Sequence, residues 1–329
     1  MFDGVVLVNK PESMSSFEVV KFFKRYLKKK VRIGHAGTLD PMATGLLPLC
    51  LGRATKLTQF IMVGLKEYRG QMVLGKRTDT YDREGEVIEE RPVSSDLTIE
   101  DLRRATKNFL GKIKQVPPPF SAAKHKGTPL YVFARKGIKV EKEPKEIFIK
   151  DFEIVRFHGG NLVDFRIVCS KGTYVRSIVD DFGKIINTGA FLNRLLRTKV
   201  GPFTLDEAYD LEEIKGYLEE GRISEIMLDQ EYVLSHIPSV EIDRYTASDV
   251  VRGILLDIHT IEGLLKKQNI NVDPIIPYLR LKVEPNGSEA FTVAVANWPP
   301  CLGDERVKMA KVFVTPMNKE SRIERRVEK

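Results

Sequence analysis

The chain has 329 residues, enough for one large or two ordinary domains, and its 42% hydrophobic and 30% charged content excludes both a disordered polymer and a small stapled scaffold. Lys and Arg outnumber Asp and Glu by 53 to 45, a net charge of +8 that suits a phosphate-bearing partner without proving one. No apolar run approaches the roughly 20 residues of a membrane span, and residues 1–10 lack the zones of a secretory leader, so a cytoplasmic address is expected.

Residues 5–8 form a continuous apolar run ended by Lys10-Pro11, which reads as a buried strand entering a turn. Ser15 or Ser16 then caps a helix whose Phe17, Val20, Phe23 and Leu27 recur at helical spacing up to Lys28-Lys29-Lys30. Residues 32–45 are polar and glycine-rich between apolar segments, so they predict a loop with special backbone geometry. A strand at 46–51, a helix from about Ala54, and an alternating strand through Tyr68, Gly70, Met72 and Leu74 follow. Thr98 and Asp101 form a capping box for a helix carrying Ile99, Leu102, Ala105 and Phe109, stopped by Gly111. Thr128-Pro129 opens a shorter helix that Gly137 ends.

Strands are predicted at 147–157 and through Val163, Phe165, Ile167 and Cys169. After Gly172, the residues Val175, Ile178, Val179, Phe182, Ile185 and Ile186 fall at helical spacing, so Lys171 to Arg176 stand at a strand-to-helix junction able to meet an anion. Beyond about Gln230 the texture changes to a short helix at 248–255 and a hairpin turning at Pro285-Asn286-Gly287-Ser288, a second, small, mainly β domain. The residues from Asn318 read as a frayed charged tail, and 261–277 as an insertion.

Nucleotide-binding glycine motifs are absent, and the five histidines are too scattered for a local metal signature, so no cofactor and no metal are expected. Cys50, Cys169 and Cys301 read as reduced core thiols. On residue type alone Asp40-Pro41 is a turn starter, His35 a loop histidine, and Lys171 to Arg176 a solvated helix start. Composition and spacing stop at a basic, two-domain, RNA-compatible protein.

The string Gly34-His35-Ala36-Gly37-Thr38-Leu39-Asp40-Pro41-Met42-Ala43-Thr44-Gly45-Leu46-Leu47-Pro48 resembles the catalytic-loop signature of the TruB family of pseudouridine synthases. Lys10-Pro11, Ala54-Thr55-Lys56, Lys66-Glu67-Tyr68 with Leu74-Gly75, Gln115-Val116-Pro117-Pro118 with Ser121-Ala122, Lys171 to Ser177, and Leu195 with Val200-Gly201-Pro202-Phe203 agree in order. One departure is Ser13, where the family usually carries glycine.

The resemblance implies an α+β fold: a mixed α/β catalytic domain with a central antiparallel sheet, here 1–232, and a small PUA-like RNA-binding domain at 233–329. It implies isomerisation of the T-loop uridine of tRNA to pseudouridine without a cofactor, by a monomer needing no protein partner. Asp40 would be the catalytic aspartate, Arg176 its partner, and Tyr68 the platform for the target base. Tyr174 and Leu195 would line the pocket, and His35, Lys56, Asp82 and Lys10 would meet the RNA. A segment at about 115–145 would close over the T arm as a clamp. The alternatives left open are a guide-dependent relative of the archaeal and eukaryotic type and an RNA chaperone. The clamp and Met42-Ala43-Thr44-Gly45-Leu46 favour the stand-alone enzyme.

Overall fold

The computed structural model describes residues 3–27, 31–121, 124–125, 127–134, 136–138, 140, 142–272, 275–284, 290–300 and 304–313. The basic run at 28–30, the turn at 285–288, Cys301 and the tail from Asn318 lie outside the described residues. The chain divides into two compact units, one of residues 1–58 and 65–227, the other of residues 59–64 and 228–329.

In chain order the first unit carries strand β1 (Gly4–Lys10), helix α1 (Ser16–Tyr26), β2 (Ile33–His35), β3 (Thr44–Leu51), a 3-10 turn (Gly52–Leu57) and β4 (Lys66–Leu74), while α2 (Thr58–Val63), between the turn and β4, falls in the second unit after Thr58. A small hairpin, β5 (Lys76–Thr78) and β6 (Val87–Glu90), precedes α3 (Ile99–Thr106) and β7 (Gly111–Gln115). There follow β8 (Lys124–His125), β9 (Thr128–Pro129), α4 (Leu130–Ala134), β10 (Lys145–Phe157), β11 (Leu162–Cys169), α5 (Val175–Ile185), β12 (Ala190–Val200), β13 (Phe203–Thr204) and α6 (Leu211–Glu219).

The main sheet runs in the order β1-β3-β12-β4-β11-β10-β7, with β2 on β3 and β13 on β12. Its described pairs are antiparallel except β12 with β3, which meet in parallel at Leu196↔Thr44 and Arg197↔Gly45. That short seam joins the edge made by β1, β2 and β3 to the rest of the sheet, and the predicted catalytic loop leaves from it. The alternation read for β4 and β11 is present: Tyr68, Met72 and Leu74 are buried on one strand, Val163, Phe165, Ile167 and Cys169 on the other. The expected capping box of Thr98 with Asp101 forms on α3, and Ser15, as the N-cap of α1, forms another with Glu18.

Three local expectations need correction. On α1 the buried face is Val19, Val20 and Phe23, whereas Phe17 is 59% exposed with the Lys21 ammonium over its ring. Cys50 and Cys169 are buried thiols, as read, but the strand β12 that carries the seam was not foreseen. In the second unit the helix expected at 248–255 lies earlier, as α8 (Arg244–Arg252) behind the N-cap Asp243, and the supposed insertion contains a second helix, α9 (Ile258–Lys267).

The second unit also holds α7 (Gln230–Val233) and a four-stranded sheet, β14 (Ser239–Glu241), β16 (Tyr278–Val283), β17 (Phe291–Asn297) and β19 (Met309–Val312), besides the pair β15 (Leu256–Asp257) and β18 (Arg306–Val307). Leu279, Leu281, Val293 and Ala294 of the sheet pack with Val250 of α8 and Ile261 and Leu265 of α9 in a core of their own.

Candidate active site

The segment between β2 and β3 is the glycine-rich loop, and its geometry depends on Gly45. That residue has φ +98°, and a Cβ there would stand 2.4 Å from the backbone oxygen of Arg197, so only glycine allows β3 to approach β12. Gly37, at φ +106°, turns the other end of the loop against the Arg197 guanidinium. Between these ends the chain is fastened from α1 and β1. The Ser16 hydroxyl donates to Leu39 O at 3.1 Å and accepts from Leu39 N at 2.8 Å, and Ser13 N donates to Pro41 O at 2.9 Å. Asp40 is thus presented on a loop fixed on both sides of it.

Arg176 comes from the first turn of α5. Its Nε donates to Asp40 Oδ2 at 2.9 Å and its Nη2 to Asp40 Oδ1 at 3.1 Å, a bidentate pair. Nη1 donates to Thr80 O at 3.0 Å and faces Asp82 Oδ2 at 3.3 Å, and Nη2 also donates to Phe120 O at 2.9 Å. Four hydrogen bonds and the Asp82 ion pair thus occupy this guanidinium on every side. Only 5% of the Arg176 side chain is exposed, against 39% of the Asp40 side chain, so a buried cation orients a carboxylate that is open to a ligand.

The start of α5 is held in turn by Gln115 at the end of β7. Its Nε2 donates to Tyr174 O at 3.0 Å, and its Oε1 accepts from Tyr174 N at 2.8 Å. The Ser177 hydroxyl donates to Val116 O at 3.0 Å. These contacts tie the segment that begins the expected clamp to the helix bearing Arg176.

Asp82 is buried and receives a hydrogen bond from the Thr80 hydroxyl at 2.6 Å. Burial pushes its carboxyl above the usual carboxylate range, and the nearby Asp40 charge adds to this, opposed by Thr80 and Arg176. Tyr68 is buried, and its phenol is raised by burial, with the Arg197 charge opposing the rise and the Asp40 charge adding to it. Leu195 is buried, Tyr174 half-buried, and Lys56 exposed on the 3-10 turn. His35 is half-buried, its pKa lowered by burial and by Arg197, and its enclosed Nδ1 has no hydrogen-bond partner among the described residues.

Asp40, Arg176 and Tyr68 are therefore brought together, but two residues expected on the RNA are not surface groups. Lys10 is fully buried and its Nζ donates to Pro11 O, Met14 O and Pro41 O at 2.7, 2.5 and 3.2 Å, so it braces the loop from beneath. Asp82 likewise faces Arg176 from inside the protein instead of standing at the surface. Residue-by-residue reading also missed Arg197 and Lys66, both buried beside Tyr68, and gave Gln115 no role. The one signal for Lys10 was its place at the end of an otherwise buried strand. Among the described residues no group of three or more His, Cys, Asp or Glu side chains could hold a metal ion.

Residues 24–175 match the TruB family pseudouridylate synthase N-terminal domain. A tRNA pseudouridine synthase B of Clostridium tetani is 44% identical over 270 residues, covering 82% of this chain and 90% of that protein. A tRNA pseudouridine synthase B of Bacillus pumilus is 40% identical over 260 residues, 78% of this chain and 84% of that one. The solved Cbf5-Nop10-Gar1 complex contains a chain that superposes with a TM-score of 0.67 at 23% identity, over 95% of this chain and 85% of its own, a likeness of fold alone. The chain belongs to the TruB family of pseudouridylate synthases.

Proposed function

We propose that the protein isomerises the T-loop uridine of tRNA to pseudouridine, acting on the RNA without a guide or protein partner. The observation that carries this reading is the half-exposed Asp40 carboxylate fixed through both oxygens by a buried Arg176, on a loop pinned at each end. The reaction moves the bond between ribose and base from nitrogen to carbon and adds no atom, so one ionised, oriented carboxylate is the reagent it requires. An arginine fork aims that carboxylate and complements its charge.

A uridine in a folded T loop must leave its stack first, which costs a few kcal/mol that an aromatic platform and pocket contacts offset. Tyr68 supplies the platform, with Leu195 and Tyr174 as walls. Exposed Lys56, and Lys171 at the start of the junction before α5, meet phosphates, and the half-buried His35 lies beside the flipped nucleotide. The second unit is read as a PUA-like domain that holds the rest of the tRNA, and 115–145 as a clamp over the T arm. The protein works as a cytoplasmic monomer.

The test is incubation of the purified protein with an unmodified tRNA transcript, without added metal or cofactor, and mapping of pseudouridine by position. One product in the T loop is expected. Binding without product moves the reading to a guide-dependent enzyme or a chaperone. Replacement of 124–142 by a short linker is expected to weaken tRNA binding, and unchanged affinity removes the clamp from the scheme.

A further inference from the structure

Arg197 is the largest side chain among the described residues that is essentially out of contact with water, 1% exposed, and none of the described ion pairs includes it. Burying an unpaired guanidinium is costly, and such a group persists only where its hydrogen bonds are made or its charge is used. Its hydrogen bonds are specific. Nε donates to Leu46 O at 2.8 Å and Nη2 to Gly37 O at 3.0 Å, and the guanidinium charge acts on the Tyr68 phenol. Gly37 and Leu46 flank Asp40 on the two sides of the loop, so one side chain from β12 grips both ends of the loop, and its charge reaches the aromatic platform.

The charge reaches the same groups. Arg197 acts on Lys10, His35, Lys66 and Tyr68, lowering each, and on the Cys169 thiol in the same sense. These groups come from β1, β2, β4 and β11, the strands around the loop. Arg176 spends its donors on Asp40, Asp82 and two carbonyls, whereas Arg197 faces carbonyls and a phenol and leaves its positive field without a carboxylate partner among the described residues.

We propose that Arg197 is a positioning residue of the isomerisation: a fixed cation that holds the loop and Tyr68 in register with Asp40 and steadies the base while it is detached from the ribose. This rests on the isomerase reading above. The N1–C1′ bond breaks with its electron pair left on the base, so uracil carries a negative charge until the C5–C1′ bond forms. The C5 hydrogen then leaves as a proton and N1 takes one up, so the balance closes without another reagent. A buried cation behind the platform favours the anionic stage over the neutral bound substrate, which is the differential interaction that raises kcat instead of affinity.

Two variants separate the fork from the charge. Arg197→Lys keeps a cation and loses the fork that bridges Gly37 O and Leu46 O; Arg197→Gln keeps two donors and loses the charge. Single-turnover rates on tRNA should fall by about 10-fold for Arg197→Lys and about 100-fold for Arg197→Gln, with tRNA Kd changed less than about 3-fold. The His35 imidazole, followed by NMR, should titrate higher in Arg197→Gln than in Arg197→Lys, since only the former removes the charge that lowers it. Undiminished rates in either folded variant overturn the proposal. So does loss of activity only in step with loss of the folded signal in thermal melts, which is a purely structural role. Absence of product from the wild-type protein refutes the isomerase reading itself, and the His35 titration still reports whether the Arg197 field reaches the site.

Discussion

Both carboxylate oxygens of Asp40 are held by one guanidinium, Arg176 Nε at 2.9 Å and Nη2 at 3.1 Å. The pair fixes the carboxylate plane, and the plane and the charge of the side chain are separable by mutation. Asp40→Asn keeps the size of the side chain and removes the anion, so product formation should fall by at least about 1000-fold while tRNA Kd stays within about 3-fold. Arg176→Lys keeps a cation and loses the fork, together with the bonds to Thr80 O and Phe120 O, and should lower the rate by about 10- to 100-fold. Single-turnover assays with filter binding read both quantities, and an Asp40→Asn protein with undiminished turnover sinks the mechanism.

Gln115 is a second support that acts through the backbone. Its amide satisfies both the N–H and the C=O of Tyr174, the residue that starts α5 next to Arg176. Gln115→Ala removes the acceptor of the Tyr174 N–H, while Tyr174 O keeps the Ile178 N–H at 3.2 Å, at a cost of about 1 kcal/mol. The melting temperature should drop, and the rate should drop with it because α5 carries Arg176. A variant that melts with the wild type and turns over normally shows that the clasp does not position the arginine.

Where a segment had clean periodicity and punctuation, the sequence was sufficient to place it. The N-cap of α1, the capping box of α3 and the alternating faces of β4 and β11 are set by local chemistry. β12 was not legible because register shifts at Leu192/Arg194 and Arg197/Lys199 break its period of two. Its inward residues also include an arginine, which reads as a solvent position until the carbonyls around it are known. Lys10 and Asp82 failed for a related reason: a charged residue in a loop-rich sequence looks like a surface contact, and only tertiary acceptors reveal it as an internal brace. The helix α9 was hidden in a stretch that departs from the family pattern, although Ile261 and Leu265 stand four apart on one face. The role of Asp40 was supplied by resemblance alone, since Asp before Pro is otherwise a turn.

Ser13 gives a stability prediction that follows from its backbone. It sits at φ +64°, where a non-glycine residue is strained by about 1 kcal/mol or more, while its N–H donates to Pro41 O at 2.9 Å. Ser13→Gly relieves that strain and preserves the N–H, at the expense of a more flexible unfolded chain. The net gain should be about 0.5–1 kcal/mol, seen as a rise of about 1–3 °C in the melting temperature. A lower melting temperature would show that the serine side chain contributes more than the strain removes.

Lys66 makes stability depend on alkaline pH in a direction that can be fixed beforehand. Burial first, then the Arg197 charge, pushes its ammonium from 10.5 down to about 8. Between about pH 8 and 10.5 the unfolded chain therefore keeps a proton that the folded chain has shed, so this residue's destabilising effect is full below pH 8 and fades as pH rises to 10.5. Lys10, also lowered to about 8, acts in the same sense. Cys50 and Cys169 are raised from 9.0 to about 11 and act in the opposite sense, losing stability between those values as pH rises. The wild-type curve alone mixes these effects, and the difference from Lys66→Met isolates one of them. The melting temperature of Lys66→Met relative to wild type should be highest at pH 8 or below and should decline steadily toward pH 10.5. A difference that stays constant across that range means the Lys66 amine is not depressed in the folded protein, and the buried cation pair with Arg197 would then have to be discarded.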